Sequence, residues 1–281
     1  MTTQPTDPTV YSSGIDPRLI VTDMDGTLLD DSSNIPERLW ALIEKMKERG
    51  IVFVPASGRQ YFTLASLFEA EIKGMPVIAE NGAYVVRDGE EISSIPLERD
   101  FVVNTVELLR SLERDHGRDL GIVVAGKKAA YVERSDEDFM YEVRKYYHSH
   151  RVLPDQLDFD DDILKIAIFD FDDAESGTAP FVTHLRESHA VVISGEHWID
   201  IMDTRVNKGT AVRSLQKELG VSEEQTVVFG DYLNDLEMIQ ASGPSFATAN
   251  AHPDIIAAAR YLAPSNSEEG VIQVLENILR A

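Results

Sequence analysis

The stretch Leu19-Ile20-Val21-Thr22-Asp23-Met24-Asp25-Gly26-Thr27-Leu28-Leu29 constrains this chain more than any other. Its apolar, partly β-branched opening, Leu19 to Val21, suits a strand buried on both faces. The strand then meets two carboxylates spaced i, i+2, and an extended chain turns residues at that spacing to one side. Two acids brought together lose water and repel each other unless a cation lies between them. A hard divalent ion such as Mg²⁺, which takes oxygen ligands, resolves that conflict. A carboxylate beside such an ion can attack a phosphoryl group to form an aspartyl-phosphate. Gly26 lets the backbone turn sharply, and the Thr27 hydroxyl with nearby N–H groups can hold phosphate oxygens. A strand closed by an ordinary Asp-Gly turn explains the same residues without chemistry.

The next segments carry the same signature. Ile35-Pro36 introduces a helix over Glu37 to Arg49, with Leu39, Leu42, Ile43 and Met46 at helical spacing and Gly50 as its C-cap. Ile51 to Ala56 is a second buried strand, and strand, helix and strand in succession imply a parallel sheet. That strand ends in Ser57-Gly58-Arg59 ahead of a helix bearing Phe62, Leu64, Ala65, Leu67 and Phe68. A hydroxyl, a glycine and a helix start can cradle phosphate oxygens, or simply cap the helix. Arg59 either supports the structure or faces substrate. Pro76 to Ala79 is a third strand, closed by Glu80-Asn81-Gly82-Ala83, and Asp88-Gly89 joins a β-hairpin over Tyr84–Val86 and Glu91–Leu97.

From about Glu98 the pattern changes. Helices are expected over Phe101–Glu113, Glu137–His150 and Thr178–Ser188, separated by strands at Gly121–Ala125, Ala129–Val132, Ile163–Phe169, Ala190–Ile193 and Trp198–Met202. That order is α+β and reads as an inserted domain. Tyr141, Tyr146 and Tyr147 read as a half-buried helix face. The acidic run Asp155 to Asp162 lacks the glycine and terminal glutamate of a calcium loop and reads as solvated. His184, His189 and His197 have no partner at metal-ligand spacing and read as structural.

Phosphate chemistry then returns. Lys208 stands just ahead of a helix start, the end that disfavours cations, and an anion shared with that helix would explain it. Thr226 to Phe229 is a buried strand running into Gly230-Asp231-Tyr232-Leu233-Asn234-Asp235. Asp231 can supply a metal oxygen, while Asp235 can hold Lys208 or support the metal shell.

Taken together, these segments resemble the haloacid dehalogenase-like (HAD) phosphohydrolases, in the Cof-type IIB branch. Asp23-Met24-Asp25-Gly26-Thr27 resembles the first family motif, Ser57 in Ser-Gly-Arg the second, Asn207-Lys208-Gly209-Thr210 the third and Gly230-Asp231-x-x-Asn234-Asp235 the fourth. Glu80-Asn81-Gly82-Ala83 and Glu268-Glu269-Gly270-Val271 also resemble that branch. Phe246-Ala247-Thr248-Ala249-Asn250-Ala251 stands where the branch writes Val-Ala-Met-Gly-Asn-Ala, with Ala249 replacing the glycine. The resemblance implies an α/β fold: a Rossmann-like core with helices on both faces of a parallel sheet, over 17–96 and 201–281. It adds an α+β C2B-type cap at 97–200; outside the resemblance, the polar Thr-, Pro- and Ser-rich stretch 1–16 reads as a disordered leader. It implies Asp23 as nucleophile, Asp25 as general acid then base, and Mg²⁺ held by Asp23, the Asp25 carbonyl and Asp231, with Asp235 nearby. Ser57 and Lys208 would bind the phosphoryl group, and Gly26, Thr27, Gly58, Arg59, Asn81 and Asn234 complete the phosphate and substrate candidates. The expected substrates are small phosphorylated metabolites such as sugar phosphates. A phosphomutase sharing these motifs is the alternative, and a non-catalytic phosphometabolite-binding protein ranks last.

Bulk properties fit. The 281 residues hold 26 basic and 49 acidic side chains, a formal net charge of −23. Such a balance argues against sequence-independent nucleic-acid binding, which needs clustered cations. The sequence contains no cysteine, and hence no disulfide or thiolate site. With no signal peptide and no apolar run of membrane-spanning length, it reads as soluble and cytoplasmic.

Overall fold

The computed structural model describes residues 15–68, 71–194 and 196–280. Most of the expected leader therefore lies outside the described residues. In chain order the strands are β1 (Leu19–Asp23), β2 (Val52–Ala56), β3 (Pro76–Ala79), β4 (Tyr84–Arg87), β5 (Glu90–Ser94), β6 (Leu120–Gly126), β7 (Ala130–Val132), β8 (His150–Val152), β9 (Ile163–Asp170), β10 (His189–Ile193), β11 (Trp198–Asp203), β12 (Thr226–Gly230), β13 (Ser245–Thr248) and β14 (Tyr261–Ala263). The α-helices are α1 (Arg38–Glu48), α2 (Tyr61–Leu67), α3 (Arg99–His116), α4 (Glu137–Tyr146), α5 (Ala179–Val182), α6 (Lys208–Leu219), α7 (Leu236–Gln240), α8 (Pro253–Ala258) and α9 (Gly270–Ile278).

These elements form two compact units. The first holds Met1–Gly58, Leu64–Ser93 and Asn207–Ala281, the second Arg59–Thr63 and Ser94–Val206. The second unit takes in β11, which pairs with β9 through Ile201 and with β10 through Asp203.

In the first unit the sheet order is β14-β13-β12-β1-β2-β3-β4-β5. Strands β14 to β3 in that order run parallel, and β4 turns back antiparallel on β3. Every residue of β1 is buried, as a strand covered on both faces requires. Leu19, Val21, Val54 and Val228 pack on one face with Ala211, Val212 and Leu215 of α6, Met238 of α7 and Ile255 of α8. On the other face Phe53 meets Phe68, which in turn meets Trp40 of α1. The chain leaves β1 for β2 on one side and returns at β12 on the other, so the strand order reverses at β1. Doubly wound folds bind ligands at the carboxyl ends of strands at such a point.

The second unit carries a six-stranded sheet, β10-β11-β9-β6-β7-β8. Its pairs are antiparallel except β7 with β8. Ile122, Val124, Ile166, Ile168 and Ile201 face α3 and α5, while Val123, Ala167 and Phe169 face Phe139, Met140 and Val143 of α4. The helix expected over Glu137–His150 stops at Tyr146, and His150 to Val152 become β8, paired with Ala130 to Val132. The helix expected over Thr178–Ser188 is broken into short turns around the four-residue α5. The acidic run is not merely solvated: Asp161 accepts from the Lys128 N–H at 2.8 Å and Tyr131 Oη at 3.0 Å, and Asp162 from Lys127 Nζ at 2.9 Å. His189 stacks on Phe101, and His197 Nδ1 lies 2.9 Å from the Asp170 carbonyl.

Gly121 shows how tightly α4 seats. A Cβ there would stand 2.0 Å from Cε2 of the fully buried Phe139. Gly121→Ala is therefore expected to destabilise the protein by about 1–3 kcal/mol, measured by urea unfolding. No helix among the described residues is long and apolar enough to cross a membrane.

Candidate active site

Three neighbouring strands, β12, β1 and β2, deliver chemistry at their carboxyl ends. Asp23 closes β1, Asp231 follows β12 and Ser57 follows β2. Lys208, the first residue of α6, is wholly buried and pairs with both Asp23 Oδ1 and Asp235 Oδ1, the latter at 2.6 Å. These two carboxylates are the anions that hold a lysine at the disfavoured end of a helix. Asp235 is fully committed: its Oδ2 accepts the N–H groups of Asp231 at 2.9 Å and Tyr232 at 3.3 Å. Gly230 permits this approach, since a Cβ there would lie 2.7 Å from that of Asp235.

The first-motif loop wraps the same point. Thr27 Oγ1 donates to Asp231 Oδ1 at 2.8 Å. Gly26 takes φ +78°, and a Cβ on it would stand 2.4 Å from Asp231 Oδ2. Gly26→Ala thus meets both a left-handed backbone and a carboxylate, and should cost at least about 1–2 kcal/mol of stability. Most phosphatase turnover should go with it, checked by thermal unfolding beside an activity assay.

An oxygen of each of Asp23, Asp231 and Asp235 lies within 4.8 Å of the others. Three carboxylates face one ammonium, and a divalent cation would balance the surplus negative charge. The oxygen-only donor set suits a hard ion. Burial, and then the Asp235 charge, push the Asp23 carboxyl well above its ordinary range in spite of Lys208. Asp231 is raised as well, chiefly by burial. Burial opposes the Lys208 charge, yet Asp23 and Asp235 more than offset it and hold its pKa above the usual lysine value.

The Asp25 side chain is exposed and does not belong to this carboxylate group. Ser57 is buried, with its backbone bonded to Ile78 and Asn81. Gly58 lies against the Asn81 amide, and Asn234 Nδ2 donates to Asn81 Oδ1 at 3.1 Å, so the third strand's turn joins the cluster. Asn81 adopts φ +56°. Arg59 is half-buried and packs with the second unit. Thr248, Asn250, His252 and Asn266 also brace these loops; Thr248 and Asn250 lay in a recognised segment, but sequence patterns singled out none of the four. Ala249 keeps a negative φ, so the turn there does not require the glycine it replaces.

A strand-end carboxylate paired to a buried lysine is an arrangement for phosphoryl transfer, and comparison with known proteins specifies it further. The model of the haloacid dehalogenase-like hydrolase family matches residues 20–275, and the chain belongs to that family. The 5-amino-6-(5-phospho-D-ribitylamino)uracil phosphatase YbjI of Escherichia coli is 35% identical over 266 residues, covering 94% of this chain and 96% of its own. A solved structure from Thermotoga maritima aligns with a TM-score of 0.82 at 26% identity, over 93% of this chain and 97% of that one. A HAD subclass IIB sugar phosphatase, BT4131, shares the fold alone, with a TM-score of 0.74 at 18% identity over 92% of this chain and 98% of that one. The protein is a phosphatase acting on phosphorylated substrates.

Proposed function

We propose that this phosphatase hydrolyses small phosphorylated metabolites, sugar and polyol phosphates in particular, through an aspartyl-phosphate on Asp23 in a Mg²⁺-dependent reaction. The observation that carries the reading is the convergence of Asp23, Asp231 and Asp235 around the buried Lys208. The substrate class follows the relative named for a ribityl phosphate ester.

Asp23 and Asp231 would hold the ion with the Asp25 carbonyl, while Asp235 anchors the lysine. When bound, the ion neutralises charge on the phosphoryl oxygens and on the carboxylates around them. An Asp23 oxygen attacks phosphorus as the ester P–O bond breaks, and Asp25 gives its proton to the departing alkoxide. Asp25, now ionised, takes a proton from water as that water attacks the phospho-Asp23, releasing phosphate and restoring both carboxyl groups. Lys208, the Ser57 hydroxyl and the N–H groups of the Gly26–Thr27 turn neutralise and orient the phosphoryl oxygens. Gly58, Asn81 and Asn234 shape the rim of that pocket, and Arg59 is a candidate for the rest of the substrate.

The test is phosphate release from hexose phosphates, pentose phosphates and the phosphoribitylaminouracil ester, with and without Mg²⁺. Turnover should vanish in chelator and return with Mg²⁺. Mg²⁺ at about a hundred times its Kd should also raise stability by about 2.7 kcal/mol. Isomerised sugar phosphate without free phosphate, or release indifferent to chelator, would overturn the proposal.

A further inference from the structure

The Asp25 side chain is exposed, and next to it stands the residue with the most backbone freedom in the loop, Gly26 at φ +78° and ψ −5°. On one side the loop is blocked by Asp231, which lies against Gly26. On the other, the Gly26 carbonyl accepts from Asn250 Nδ2 at 2.8 Å and from Thr248 Oγ1 at 3.5 Å. Asn250 Oδ1 in turn accepts the Asn266 N–H at 3.1 Å. The buried Asn266 sends Nδ2 to the Leu29 carbonyl at 3.0 Å and to Asp31 Oδ1 at 3.3 Å. Two side-chain amides thus hold the loop at Gly26 and again at Leu29. The bond at Gly26 fixes the plane of the Gly26–Thr27 peptide and so anchors the loop one residue beyond Asp25.

We propose that Asn250 is a positioning residue that orients Asp25 for proton transfer by fixing the Gly26 carbonyl. The inference rests on the acid–base role given to Asp25 above. Attack by Asp23 does not need Asp25, but departure of an alkoxide does, whereas p-nitrophenolate leaves without a proton. Loss of Asn250 should therefore penalise alkyl esters selectively.

The experiment compares kcat/KM, which reports only the steps through phosphorylation of Asp23, on p-nitrophenyl phosphate and on the sugar phosphate turned over fastest. Asn250→Ala should lose about tenfold or more on the sugar phosphate and far less on the aryl ester, a weaker copy of Asp25→Asn. Asn250→Asp, the same shape with an oxygen facing the Gly26 carbonyl, should be no better than Asn250→Ala on the sugar phosphate, and it keeps the test open if the alanine variant folds poorly. Equal losses on both esters in the Asn250 variants, beside a selective Asp25→Asn, would overturn this proposal alone. A non-selective Asp25→Asn would overturn the acid–base reading and the proposal with it.

Discussion

Asp23→Asn should lower phosphatase turnover by at least about 10³-fold while leaving the fold intact. The amide keeps the carboxylate's shape and can still accept from Lys208, but it cannot form the aspartyl ester. A second effect separates this from simple damage. The Asp23 carboxyl is raised above its ordinary range by burial and by Asp235, so at neutral pH its charged form opposes folding. The wild-type protein therefore gives up stability as pH rises above the unfolded-state value near 4, and the variant does not. In chelator at pH 7.5 the unfolding midpoint of Asp23→Asn should equal or exceed wild type, and the advantage should disappear toward pH 4. Mg²⁺ should stabilise the variant much less. Turnover within tenfold of wild type would remove Asp23 as nucleophile.

Lys208→Met should have the opposite sign on stability. Methionine matches the length of the side chain but leaves Asp23 and Asp235, both buried, without their shared counter-charge. Breaking a buried pair from one side costs about 3–5 kcal/mol, a large part of a typical domain's stability. Protonating Asp23, whose carboxyl is already raised by burial, relieves part of the strain, so the deficit should be smaller at pH 5 than at pH 8. Urea unfolding at the two pH values checks both statements, and turnover should be lost as well. An unchanged midpoint at pH 8 would mean that the carboxylates do not depend on this ammonium.

Much of this site was legible in the sequence because its chemistry sits where strands end. Asp23, Ser57 and Asp231 each follow a short apolar run, and runs such as Leu19–Val21 and Val227–Phe229 are buried on both faces because the sheet is covered twice. The pairing of Lys208 with Asp23 was less legible, since it spans 185 positions and no local spacing encodes it. The Asn250 bond to Gly26 spans 222–224 positions with its Thr248 neighbour and was hidden for the same reason. Strand β8 escaped because Tyr146 and Tyr147 prolong the helical pattern of α4 to the edge of a three-residue strand. Such a strand is specified by its neighbour Ala130–Val132 more than by its own residues.

The central position of β1 bears on how the protein is made. Leu19 pairs with Val52 on one side, but its partner on the other, Thr226, lies beyond the whole second unit. During synthesis the ribosome therefore releases an apolar strand with one bare edge and keeps it waiting while Ser94–Val206 emerges and collapses on its own core. Bare apolar edges recruit other chains. Nascent or truncated polypeptides ending before Thr226 are then the species that chaperones would have to shield, and phosphatase chemistry can begin only once Asp231 and Asp235 have left the tunnel.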